Sequence, residues 1–134
     1  MDREKVIRII IGLLSFAWAT YHVFVGYNSA TFAASVTGKA SFVFAEYSEY
    51  FGFAAALYIF AGYEIINGTR RLIPLIYLLY VVNLLLAAIA YGVRGPLLGQ
   101  PLPFNLIVAP ALVLDMSLVA LTALLWMRSY VGVR

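Results

Sequence analysis

The stretch that most constrains this chain is Leu72 to Val93, LIPLIYLLYVVNLLLAAIAYGV. It has 22 residues, no charge and one strongly polar side chain near its middle, Asn83. At a helical rise of about 1.5 Å per residue it is long enough to cross a hydrocarbon core of roughly 30 Å. A helix in the core of a water-soluble domain seldom needs so long an uncharged run. Composition agrees: 64% of the 134 residues are hydrophobic and 11% charged, where soluble domains average about 25% charged.

Three more segments match it in length. Val6 to Tyr27 is apolar after a charged start and is too long for the core of a signal peptide, so it reads as a first membrane helix. A second is expected over about 46–66, and a fourth over about 105–127, with Pro110 in or near its first turn. The third spans about 72–93, with Pro74 where a missing N–H does no harm. Asn28 to Ala45 reads as a connector with room for a short interfacial helix. Asn67-Gly68-Thr69 reads as a turn, and Arg94 to Phe104 as a Pro/Gly loop. The fold class expected is an all-α bundle of four transmembrane helices in one integral membrane domain.

The net charge of +3 does not indicate nucleic acid, because the basic residues sit at segment ends. With both termini inside, the inner side carries Arg3, Lys5, Arg8, Arg70, Arg71, Arg128 and Arg134, and the outer side only Lys39 and Arg94. That bias predicts both termini on the cytoplasmic side of the cytoplasmic membrane. Arg70, Arg71 and Arg128 set this topology. Tyr21, Tyr27, Tyr47, Tyr50 and Tyr91 would form an outer aromatic belt, and Tyr63, Trp126 and Tyr130 an inner one. The chain has no cysteine and one histidine. Disulfides, iron–sulfur clusters, thiolate zinc sites and a bis-His haem within one chain are thereby excluded, and no metal site is expected.

The polar residues inside these segments are the candidate site. Asp115 falls near the expected midplane, where a charged Asp costs about 2.5–3.5 kcal/mol on insertion scales. It should face protein and have a partner, or be protonated. Folding the last two helices about a loop near Gly99 brings Asn83 level with it. The pair is either a proton-carrying or ligand-binding site, or a hydrogen bond that pins two helices. The 3.6-residue period aligns Tyr77, Tyr80, Asn83, Ala87 and Tyr91 on one helix face, and Arg8, Ser15, Ala19, His22 and Gly26 on another. His22 should lie level with Tyr50 or Phe51. It is a structural histidine, a titrating group or a quinone partner. Glu46, Glu49 and Glu64 are expected at the interfaces, with Lys39, Arg70 or Arg71 in reach.

IRIIIGLLSF near the start, then EYFG, Gly62 and TRRL, resemble the DoxX-like family of small four-helix membrane proteins. The matching positions are Arg8, Gly12, Glu49, Gly52, Gly62 and Arg70, within the first two helices. The chain departs from that family at Ala19-Thr20-Tyr21-His22, where a Gly and a Lys are usual. The resemblance implies a quinone-linked redox role, or association with a terminal oxidase.

Three functions follow as expectations. A chain with no cofactor ligand set, little mass outside the membrane and one midplane acid fits a non-catalytic accessory subunit of a respiratory or other energy-converting assembly. It would bind the lipid bilayer and other membrane subunits, or itself, and no nucleic acid. The second is a small homo-oligomeric, proton-coupled transporter or channel using Asp115. The third holds a quinone between Tyr80, His22 and Asp115.

Overall fold

The computed structural model describes residues 2–95, 99, 101, 102, 104, 106 and 108–131, without the side chains of 130 and 131. All regular structure among these residues is helical. Helix α1 spans Arg3–Ser35, α2 Lys39–Ile66, α3 Ile73–Gly92 and α4 Val108–Val131, with a 3-10 turn at Arg70–Leu72 before α3. The α1, Arg70–Gly92 and α4 segments are long and apolar enough to cross a membrane. Helix α2 falls outside that class; its sequence carries Glu46, Glu49, Glu64 and four tyrosines.

Two expected boundaries are corrected. The stretch from Asn28 to Ala45 is not a connector. Helix α1 continues to Ser35, and α2 begins at Lys39. The break is Val36 to Gly38, with Gly38 at φ +71°. The polar residues that suggested a loop are satisfied inside the helix: Thr31 Oγ1 donates to the Tyr27 carbonyl at 2.9 Å and Ser35 Oγ to that of Phe32 at 2.8 Å. Ser41 Oγ then ties the hairpin by donating to the Ala33 carbonyl at 2.9 Å. The fourth helix is described from Val108 to Val131 and so runs past the expected end at Met127. Its expected start at Asn105, with Arg134 and the Tyr130 side chain, lies outside the described residues.

The turn after α2 follows from its glycine. Gly68, at φ +83°, lets the Gly68 and Thr69 amides return to the carbonyls of Ile65 and Glu64, each at 3.1 Å, which closes the helix end. Buried Arg8 covers the same end. It donates to the Ile65 carbonyl at 3.3 Å and pairs with Glu4 at 2.8 Å, and Arg70 approaches the same Glu4 oxygen at 3.5 Å. A cation at a helix C-terminus offsets the unpaired carbonyls there.

Helices α1 and α2 pack most extensively, α3 and α4 next, then α1 and α4. The first pair meets closely at Gly12 and Gly62. A Cβ on Gly62 would stand 2.9 Å from the Phe16 ring and 3.1 Å from the Gly12 carbonyl oxygen, and one on Gly12 would overlap Ile66. The absence of a side chain at both positions is what lets the helices meet. The core between the helices is built from Ile11, Trp18, Tyr58, Ile65, Tyr80, Leu118 and Leu125 among others. Leucines, phenylalanines and valines cover much of the outside. One end of the bundle carries both termini and the α2–α3 turn; the other carries the α1–α2 break and the segment between α3 and α4.

Candidate functional site

The site is centred on Asp115, which is 2% exposed. Its Oδ1 accepts from Asn83 Nδ2 at 3.0 Å and from the Tyr58 hydroxyl at 3.2 Å. Asn83 Oδ1 in turn accepts from the Tyr50 hydroxyl at 2.8 Å. One carboxyl therefore gathers α2, α3 and α4, and a polar relay leads from it through Asn83 to Tyr50. The structure thus brings Asn83 and Asp115, the two polar residues expected to be level, into contact. Helices α3 and α4 run antiparallel, and Asn83 and Asp115 stand at similar distances from the segment that joins them.

A stack of three rings stands beside this cluster. Trp18 lies between Tyr58 and His22, with ring centroids 3.6 and 3.5 Å apart. His22 Nδ1 is 2.9 Å from the Trp18 carbonyl. A carbonyl only accepts, so Nδ1 holds the proton of the neutral ring and Nε2 remains an acceptor. His22 also meets Phe51 at 5.4 Å, the level expected for it. The Trp18 indole N–H sits beside the Asp115 carboxyl without completing a hydrogen bond, and it has no other partner among the described residues.

A cavity of about 290 Å³ opens from this cluster toward the end with the α1–α2 break. Helix α1 contributes Trp18 and His22, and α2 contributes Glu46, Tyr47, Tyr50 and Phe51. Asn83, Ala87, Ala90 and Tyr91 form the α3 wall, and Ala111 and Asp115 belong to that of α4. The Tyr47 hydroxyl is buried and has no partner among the described residues, like the Trp18 N–H. No lysine or arginine among the described residues lines the space. The other half of the bundle is filled by Ile11, Ser15, Tyr80, Leu118 and Leu125.

The remaining candidates fall into place around it. The whole α1 stripe of Arg8, Ser15, Ala19, His22 and Gly26 is buried. Tyr80 is buried on the far side of Tyr58, where its hydroxyl bonds Ser15, and it does not reach the cavity. A ligand held jointly by Tyr80, His22 and Asp115 is therefore not what the geometry offers. The acids lack the basic partners expected for them among the described residues. Glu46 turns into the cavity, Glu49 is exposed, and Glu64 accepts from Thr69 Oγ1 at 2.6 Å. None of the three forms an ion pair among the described residues, and Arg70 goes to Glu4 instead. Arg71 and Arg128 are exposed. Trp18 and Tyr58 were not evident from the sequence as site residues. The signal was present in spacing: Trp18 precedes His22 by one helical turn on the buried stripe, and Tyr58 lies eight residues past Tyr50.

The fold and the site define a helical bundle with membrane-length helices and a polar-floored internal cavity. No protein-family model, no curated protein and no solved structure matches the chain.

Proposed function

We propose that this chain is an integral membrane carrier of four crossings that binds a small molecule inside its own bundle, with Asp115 as the binding and coupling acid. The single observation that carries this reading is the cavity with the Asp115 carboxyl at its floor. A bundle whose interior served only to hold helices together would fill that space with side chains, since interiors pack near crystal density. The cavity reaches the cluster from one end while the other half is closed by packed aromatic and aliphatic groups. One-sided access of this kind is what an alternating-access carrier presents in one of its states. Helix α2 supplies the fourth crossing in this reading. In this reading the basic residues at the other end favour cytoplasmic termini, and the cavity then opens outward from the cytoplasmic membrane.

The test is native mass spectrometry of the protein released from its own membrane. Wild type should retain a bound small molecule, and Ala87→Phe, which fills the cavity from α3, should lose it with its fold intact by circular dichroism. An adduct-free wild type, or one whose adduct survives Ala87→Phe, would overturn the proposal.

A second reading, a subunit of a larger membrane assembly, draws support from Gly52, Ala56, Ala88 and Gly92. These small residues face outward on α2 and α3, where another helix could approach closely. The same spectra would reveal such an assembly by its mass. A quinone-linked role, implied by the DoxX-like resemblance, would have to use His22 and Asp115 without Tyr80.

A further inference from the structure

The chemistry of the cavity wall narrows what it can hold. Two carboxylates contribute to it, Asp115 at the floor and Glu46 on the α2 wall, and no lysine or arginine among the described residues opposes them. The remaining polar groups include acceptors and a few donors, the Trp18 N–H among them. His22 Nε2 is an acceptor, because Nδ1 carries the ring proton and donates a hydrogen bond to the Trp18 carbonyl. The buried Tyr47 oxygen has no partner among the described residues and can accept or donate. Much of the rest of the wall is aromatic, and ring faces attract cations.

A neutral quinone fits this wall less well. Its two oxygens only accept, and beside the Trp18 N–H and the Tyr47 hydroxyl they would meet two carboxylates and a histidine acceptor. A hydrated metal ion fits poorly as well, because the wall is largely aromatic and aliphatic, and no group of three His, Asp or Glu converges among the described residues. A volume of about 290 Å³ lies at the small end of ligand pockets. It suits one ring with a short side chain.

The route of entry agrees. Helices α2 and α3 are not packed together along their lengths. They meet through side chains, Tyr50 with Asn83 and Tyr58 with Tyr80. Tyr50 and Leu86 line the cavity from these two helices and are themselves 38% and 42% exposed. The α2–α3 seam is therefore the least closed side of the cavity, at a depth that faces acyl chains when the bundle spans a bilayer.

We infer that the cavity binds an amphipathic organic ammonium ion with at least one N–H, which enters from the bilayer between α2 and α3 and pairs with Asp115. This rests on the reading that the bundle holds a ligand. The ammonium N–H groups donate to Asp115 and His22, the aromatic rings enclose the charge, and Glu46 draws the cation to the mouth.

The experiment uses the full chain in nanodiscs with Trp126→Phe, which leaves Trp18 as the one indole. Phenethylammonium is titrated against 2-phenylethanol, its neutral analogue, with empty nanodiscs as the partition control. Phenethylammonium should quench or shift Trp18 emission saturably and bind at least tenfold tighter than the alcohol. Asp115→Asn should remove that preference while alcohol binding is kept, and Glu46→Gln, at the rim, should weaken the cation about threefold. Equal binding of the two probes, or a preference unmoved by both variants, would overturn the cation assignment and leave the ligand-binding carrier standing. Failure of both probes to perturb Trp18 would overturn the cation assignment. The carrier itself would then rest on the adduct measurement with Ala87→Phe.

Discussion

At the scale of single residues, Tyr80 separates structure from function in this bundle. Its hydroxyl bonds Ser15 across α1 and α3, one ring away from Asp115. Tyr80→Phe should lower stability by about 0.5–1.5 kcal/mol in detergent unfolding. It should show coupling to Ser15→Ala in a double-mutant cycle, because the two remove the same bond. The affinity of the cavity for its ligand should not move. A ligand lost on removing this one hydroxyl would put Tyr80 back in the site. The residue level also shows what the sequence made legible and why. Asn83 and Asp115 could be placed together because polar groups in an apolar helix are few and the rise per residue is fixed. Trp18 and Tyr58 could not, because a ring on a buried stripe looks the same whether it packs a core or walls a cavity. Only the shape of the neighbouring space distinguishes them.

Among the helices, α1 and α2 form the rigid unit, and glycine decides where. Gly62→Ala would push a methyl group to within 3.0 Å of the Ser15 side chain and against the Phe16 ring. Strain of that kind costs about 1–3 kcal/mol. Gly52 has nothing within 4 Å of where a Cβ would stand. Gly52→Ala should therefore hold or raise the stability of the monomer, by up to about 1 kcal/mol from helix propensity. Unfolding in graded SDS distinguishes the two, and equal losses would mean that the α1–α2 crossing is not where the glycines place it. The 3.6-residue period revealed the buried α1 stripe well ahead of the structure. It did not reveal that α1 and α2 run on through Asn28 to Ala45. Polar composition there imitates a loop, while the hydroxyls of Thr31 and Ser35 are bonded back to their own helix.

For the whole molecule, orientation is the property on which the proposal most depends. A chain without cysteine suits single-site labelling. In intact cells an impermeant maleimide should modify Ser35→Cys, at the end of α1, and should reach Ser129→Cys only after permeabilisation. The reverse pattern would turn the cavity toward the cytoplasm and invert the direction of uptake.

The helices are unequal in length. Helix α1 has 33 residues and α3 has 20, about 50 Å against about 30 Å at the usual rise. No single bilayer thickness can suit both. Where α3 matches the acyl layer, the α1–α2 hairpin must stand among headgroups and water. In a thicker membrane its self-satisfied hydroxyls would allow it to be drawn inward, and the seam beside Tyr50 would sink with it. Lipids of different chain length should therefore act on this protein as a graded control, set by the host membrane and not by any partner.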